Sequence, residues 1–151
     1  MRAWRNAPIA LALAQLAMLF ALVLPLAFTS CAVGAHQFAA PAADWQARSG
    51  QLFYRGRKTA LIGEVLVRYD SGGDFELTFT KGPGVTLLMV RQDAKFVRVS
   101  GPLARGSWSG PPAKAPERLR GWVELRDLLI KSAGQTTLRH SAAGESFTFH
   151  F

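Results

Sequence analysis

The chain has 151 residues and one cysteine, so no disulfide forms within it, and once an N-terminal targeting segment is set aside only one compact domain remains to be built. Its net charge is +8, and residues 31–151 still hold 16 of the 18 Lys and Arg against all 10 Asp and Glu, a net +6. Such a balance favours anionic partners; an exported chain meets phospholipid headgroups rather than nucleic acid, although a basic, merely solvated surface satisfies the same numbers.

Arg2 and Arg5 precede an almost unbroken apolar run from Ala7 to Phe28, interrupted by Gln15 and followed by Thr29, Ser30 and Cys31. Positive charge first, an apolar stretch next and small residues last is the order of an export signal. The run Leu26-Ala27-Phe28-Thr29-Ser30-Cys31 resembles a bacterial lipobox, which implies that residues 1–30 are a lipoprotein-type signal peptide and that Cys31 is acylated as the mature N-terminus. Two or three acyl chains, at about 0.8 kcal/mol per buried methylene, anchor a protein stably. Ala32 after the cysteine resembles sorting to an outer membrane, facing the periplasm. The same segment is also long enough to span a bilayer uncleaved. Ordinary cleavage after Val33-Gly34-Ala35 is the third reading.

Residues 31–49 read as the lipidated end and a flexible tether rich in Ala and Pro, with Asp44 to Arg48 as a short helical turn. Residues 50–151 read as a single β-rich periplasmic domain. Gln51 to Arg57 and Leu61 to Tyr69 form a predicted hairpin, and Asp74 to Thr80 alternates strictly, with Phe75, Leu77 and Phe79 on one face. Val85 to Val90 is apolar on both faces, as in a central strand, and Ala94 to Ser100 follows as another. Leu103 to Pro116 is a Gly-, Pro- and Ser-rich loop with room for one short strand near Trp108. Leu119, Trp122, Val123, Leu129 and Ile130 recur near helical spacing, predicting an amphipathic helix over Glu117 to Ser132 that ends before Gly134. Ser146 to Phe151 alternates again and closes the chain as a strand. The predicted class is mainly β (α+β): a curved antiparallel sheet of about six strands with one packed C-terminal helix.

From Ser49 to Gly110, the sequence of a Gly-started strand, a short turn to a second strand, an aromatic-bearing strand and the Gly82-Pro83-Gly84 turn is similar to the lipoprotein carrier and outer-membrane lipoprotein-insertion family of the Lol pathway. That resemblance implies a concave sheet whose apolar face holds lipid or a lipoprotein's acyl chains, with Phe75, Leu77, Phe79, Leu87, Met89, Phe147 and Phe149 as the lining. The alternation that nominates these residues equally describes an ordinary core between sheet and helix. Arg55, Arg57 and Lys58 form a basic cluster suited to anionic headgroups, at about 1 kcal/mol per charge near a surface, or to a solvated hairpin end.

Nothing nominates an enzyme, a metal or a cofactor. His36 lies in the tether, His140 in a predicted loop and His150 in the last strand, without ligand spacing to one another. Gly106-Ser107-Trp108-Ser109-Gly110 lacks the central serine of a nucleophile elbow. The expected partners are membrane lipid and either a lipoprotein or another envelope protein, the last making the chain an accessory or scaffold subunit.

Overall fold

A computed structural model describes residues 36–151; the signal segment, Cys31 and the three readings of the N-terminus lie outside the described residues. Eight strands, β1 (Gln46–Arg55), β2 (Ala60–Tyr69), β3 (Phe75–Thr80), β4 (Thr86–Gln92), β5 (Val97–Gly101), β6 (Gly106–Gly110), β7 (Thr137–Ala142) and β8 (Glu145–His150), form one open antiparallel sheet in the order β6-β5-β4-β3-β2-β1-β8-β7. A single α-helix, α1 (Glu117–Lys131), lies between β6 and β7 in sequence and so connects the two edges of the sheet.

The mainly β class holds, but the sheet has eight strands where six were expected. The two additional strands are β6, short and glycine-bounded, and β7, Thr-Leu-Arg-His-Ser-Ala, whose alternation contributes one large aliphatic side chain, Leu138. His140 therefore belongs to a strand, not a loop. β1 also begins at Gln46, inside the segment expected to be a helical turn, because Gln46 to Ser49 pair in register with Tyr69 to Leu66. Partnership across the sheet decides these short segments.

Each strand sends alternate side chains to the helix side: Leu52 and Tyr54 from β1, Val65 and Val67 from β2, Phe75, Leu77 and Phe79 from β3, Leu88 and Val90 from β4, Val97 and Val99 from β5, Phe147 and Phe149 from β8. Against them α1 buries Leu119, Trp122, Leu125 and Leu129, one stripe at three- and four-residue intervals. Trp122 sits at the centre, its ring 5.0 Å from Tyr54, 6.1 Å from Phe79 and 4.9 Å edge-on from Phe147. These aromatic pairs each contribute about 0.5–1.5 kcal/mol beyond burial.

Glycine is required where strands crowd the inner side. A Cβ on Gly50 would lie 2.1 Å from the His150 carbonyl oxygen, and one on Gly63 would lie 2.1 Å from that of Thr80. Both neighbouring backbones come over the inner face at these points, which a side chain would block.

Polar contacts fasten the helix ends. Arg48 donates to the carbonyls of Ser132, at 3.3 Å, and Gln135, in the turn just past the helix, and its guanidinium stacks 3.8 Å from the Phe151 ring centre. Arg126 Nε donates to the Gly73 carbonyl at 2.8 Å. At the other end Arg57 faces Glu117 across 3.4 Å.

Candidate functional site

Five of the seven residues expected to line a lipid face, Phe75, Leu77, Phe79, Phe147 and Phe149, do share one side of the sheet, and all are at most 1% exposed beneath α1. In this conformation the face is a filled core. Met89 belongs to the opposite face, because in β4 it is Leu88 and Val90 that point at the helix, whereas Leu87, at an irregularity in the β3–β4 register, is half-buried and packs against the core. Apolar residues at consecutive positions in β4 left its phase open, and pairing with Phe79 and Leu77 fixes it.

The expected headgroup cluster divides in the same way. Arg55 is exposed on the outer face beside Phe53, 5.8 Å from its ring centre. Arg57 and Lys58 sit in the β1–β2 turn and line a solvent-open cavity of about 650 Å3 at one end of the sheet. The other walls come from distant segments: Leu103 and Arg105 between β5 and β6, Glu117 and Arg118 at the start of α1, and Ala143 in the β7–β8 turn. Arg105 and Arg118 are thus site residues that local sequence gave no reason to group with Arg57.

Tyr54 and Glu145 form the floor. The Tyr54 hydroxyl donates to Glu145 Oε1, and Glu145 Oε2 is buried with no hydrogen-bond partner among the described residues. Burial pushes the Glu145 carboxyl above its ordinary range, against the opposing pull of the Tyr54 hydrogen bond and the Arg57 charge. The phenol of Tyr54 is likewise raised, first by burial and then by its carboxylate acceptor. Gly121 makes the arrangement possible, since a Cβ there would stand 2.9 Å from the Phe147 ring and 3.2 Å from Glu145 Oε2.

A second constellation fixes the tether at the far end of the sheet. His36 Nε2 donates to Asp93 in the β4–β5 turn, and its ring stacks on Phe96 with centroids 4.5 Å apart. Phe38 lies under the guanidinium groups of Arg91 and Arg98, at 5.4 and 5.5 Å, and Arg91 donates to the Ala39 carbonyl at 2.8 Å. Arg91 also pairs with the buried Glu76 at 3.4 Å, and Arg68 pairs with that carboxylate from the other side. Burial acts to raise the Asp93 carboxyl, but hydrogen bonds from the Lys95 amide, His36 and the Phe96 amide outweigh it and hold it below its usual range. The segment that reads as a free tether is therefore docked on the domain from His36 to Ala39.

Among the described residues no helix is long and apolar enough to cross a membrane, and no cluster of three or more His, Cys, Asp or Glu side chains has the geometry to hold a metal ion. No protein-family model matches the chain, and no curated protein matches it.

Proposed function

We propose that this chain is a non-enzymatic envelope lipoprotein, anchored through an acylated Cys31, whose domain holds a lipid or a lipoprotein's acyl chain against the inner side of a curved sheet, in the manner of the Lol carrier and insertion family. The observation that carries this reading is that an apolar face running from β5 to β8 is roofed by one 15-residue helix that covers it with an apolar stripe, the kind of surface an acyl chain also presents. Such a helix can move aside as a unit. Burying a sixteen-carbon chain from water yields about 12 kcal/mol at 0.8 per methylene. Uncovering the four large apolar side chains of the helix stripe costs about 6–12 kcal/mol at 1.5–3 each. The two quantities are of one size, so an acyl chain competes with the helix for the same surface.

The test uses the full chain in maltoside micelles titrated with a bromine-labelled fatty acid, reading tryptophan emission. Trp122 lies at the centre of the inner face, so saturable quenching at one probe per chain, weakened in Trp122→Phe, is the expected result. Quenching that rises linearly with probe and is indifferent to Trp122 sinks the reading.

A second reading, an accessory subunit of an envelope complex, is favoured by the edge of β7, which pairs only with β8 among the described residues and leaves its other side available for strand addition. A stable partner protein, isolated without bound lipid, supports it over the first.

A further inference from the structure

We propose that the cavity at the Arg57 end of the sheet is a binding site for a phosphate-bearing ligand, gripped by Arg57, Lys58, Arg105 and Arg118. These four cations come from three separate parts of the chain and meet around one solvent-open space of about 650 Å3, within the range of small-molecule sites. The carboxylates that share it are Glu117, which faces Arg57 at 3.4 Å, and Glu145, which lies in the floor bonded to Tyr54. Lys58, Arg105 and Arg118 form no salt bridge among the described residues. Three uncompensated positive charges gathered on a concave surface focus a field that selects an anion. A carboxylate is satisfied by a single bidentate guanidinium, whereas a phosphate offers three acceptor oxygens and up to two charges, which matches several donors converging from different walls.

Two walls of this space are tight turns: Arg105 (φ 56°) caps the short 3-10 turn that follows β5, its amide donating to the Pro102 carbonyl, and Ala143 (φ 53°) belongs to the two-residue β7–β8 turn. The floor adds a graded effect. Glu145 opposes an anion above it, so its neutralisation favours binding rather than impairing it. The site stands without the acyl-chain reading, since a lipid headgroup and a free phosphorylated molecule present the same chemistry.

The experiment is calorimetric titration of the full chain in maltoside micelles at low ionic strength. The probes are inorganic phosphate, sn-glycerol 3-phosphate and, in separate micelles, phosphatidylglycerol. Binding should weaken about tenfold or more in Arg105→Gln/Arg118→Gln, the loss expected for charge-assisted contacts, and stay within about twofold in Arg98→Gln/Arg139→Gln, which removes two outer-face charges. Glu145→Gln should bind a few-fold more tightly, which a merely damaged pocket would not do. All five substituted positions except Glu145 are exposed, and equal melting temperatures verify folding. Binding of glycerol phosphate identifies a soluble source; binding of doped micelles alone identifies a headgroup; either supports the site if the cavity pair abolishes it. Failure of every probe to bind, or equal losses from the cavity pair and the outer-face pair, overturns it.

Discussion

Arg48→Met removes the fastening at the C-terminal end of α1 while keeping an apolar stem in place. Two hydrogen bonds from a charged donor to the Ser132 and Gln135 carbonyls are lost, together with a guanidinium stacked 3.8 Å from Phe151. Bonds to charged groups are worth about 1.5–3 kcal/mol and a cation–π contact about 0.5–2 kcal/mol. Because one of the bonds is long and the site is only partly buried, the combined loss is about 3 kcal/mol, slightly under the roughly 3.5 kcal/mol minimum of that sum. For a domain of this size that lowers Tm by about 10 °C. Hydrogen exchange resolves where the loss falls: amides from Leu128 to Gln135 should lose protection first, while β2 and β3 keep theirs. If the helix must lift to admit an acyl chain, the same 3 kcal/mol comes off the opening step. Apparent acyl affinity then rises by up to about a hundredfold even as Tm falls. An unchanged Tm, or uniform loss of protection with no gain in acyl binding, refutes the idea that Arg48 holds a roof closed.

Further outcomes follow from single positions. Arg105→Gly relieves a left-handed backbone conformation at the expense of a more flexible unfolded chain, a net gain of up to about 1 kcal/mol, while weakening phosphate binding, so stability and affinity should move oppositely in denaturant and calorimetric titrations. Gly63→Ala places a Cβ 2.1 Å from the Thr80 oxygen and should cost more than about 3 kcal/mol by urea unfolding, whereas Gly134→Ala, with nothing within 4 Å, should be close to neutral. Glu145 has a folded pKa above its ordinary 4.5, so the folded state takes up its proton more readily than the unfolded one. Its favourable contribution is complete below pH 4.5 and disappears as pH rises through the higher folded value. Glu145→Gln should flatten that part of the stability profile. Asp93 acts in the opposite sense and lower down: its stabilisation is present above 3.8 and is lost as pH falls through its depressed folded value, so His36→Ala should reduce the loss seen in acid.

How far the sequence reaches depends on how much of the signal is local. Asp74 to Thr80 announces both its strand and its buried face because every second residue is large and apolar, and Glu117 to Ser132 does so at helical spacing. β4 announces a strand but not its phase: Met89 reads as an inner residue, whereas Leu88 and Val90 occupy the inner side. β7 and the first residues of β1 owe their conformation to neighbours far along the chain, which no local period records. The basic cavity was half legible. Arg57 and Lys58 are adjacent in sequence, whereas Arg105 and Arg118 join them only because the strands bring the β5–β6 connection and the start of α1 to the same end. The docked tether was hidden for the same reason, since His36 meets Asp93 across 57 positions.

The most direct measurement is native mass spectrometry of the protein extracted from bacterial membranes in mild detergent, with the N-terminal peptide sequenced from the same sample. The predicted result is a mature chain beginning at an acylated Cys31 that carries one further lipid or acylated ligand, with higher occupancy in Arg48→Met. A chain that still begins at Met1, or one cleaved after Ala35 without acyl mass and with no bound ligand, contradicts it.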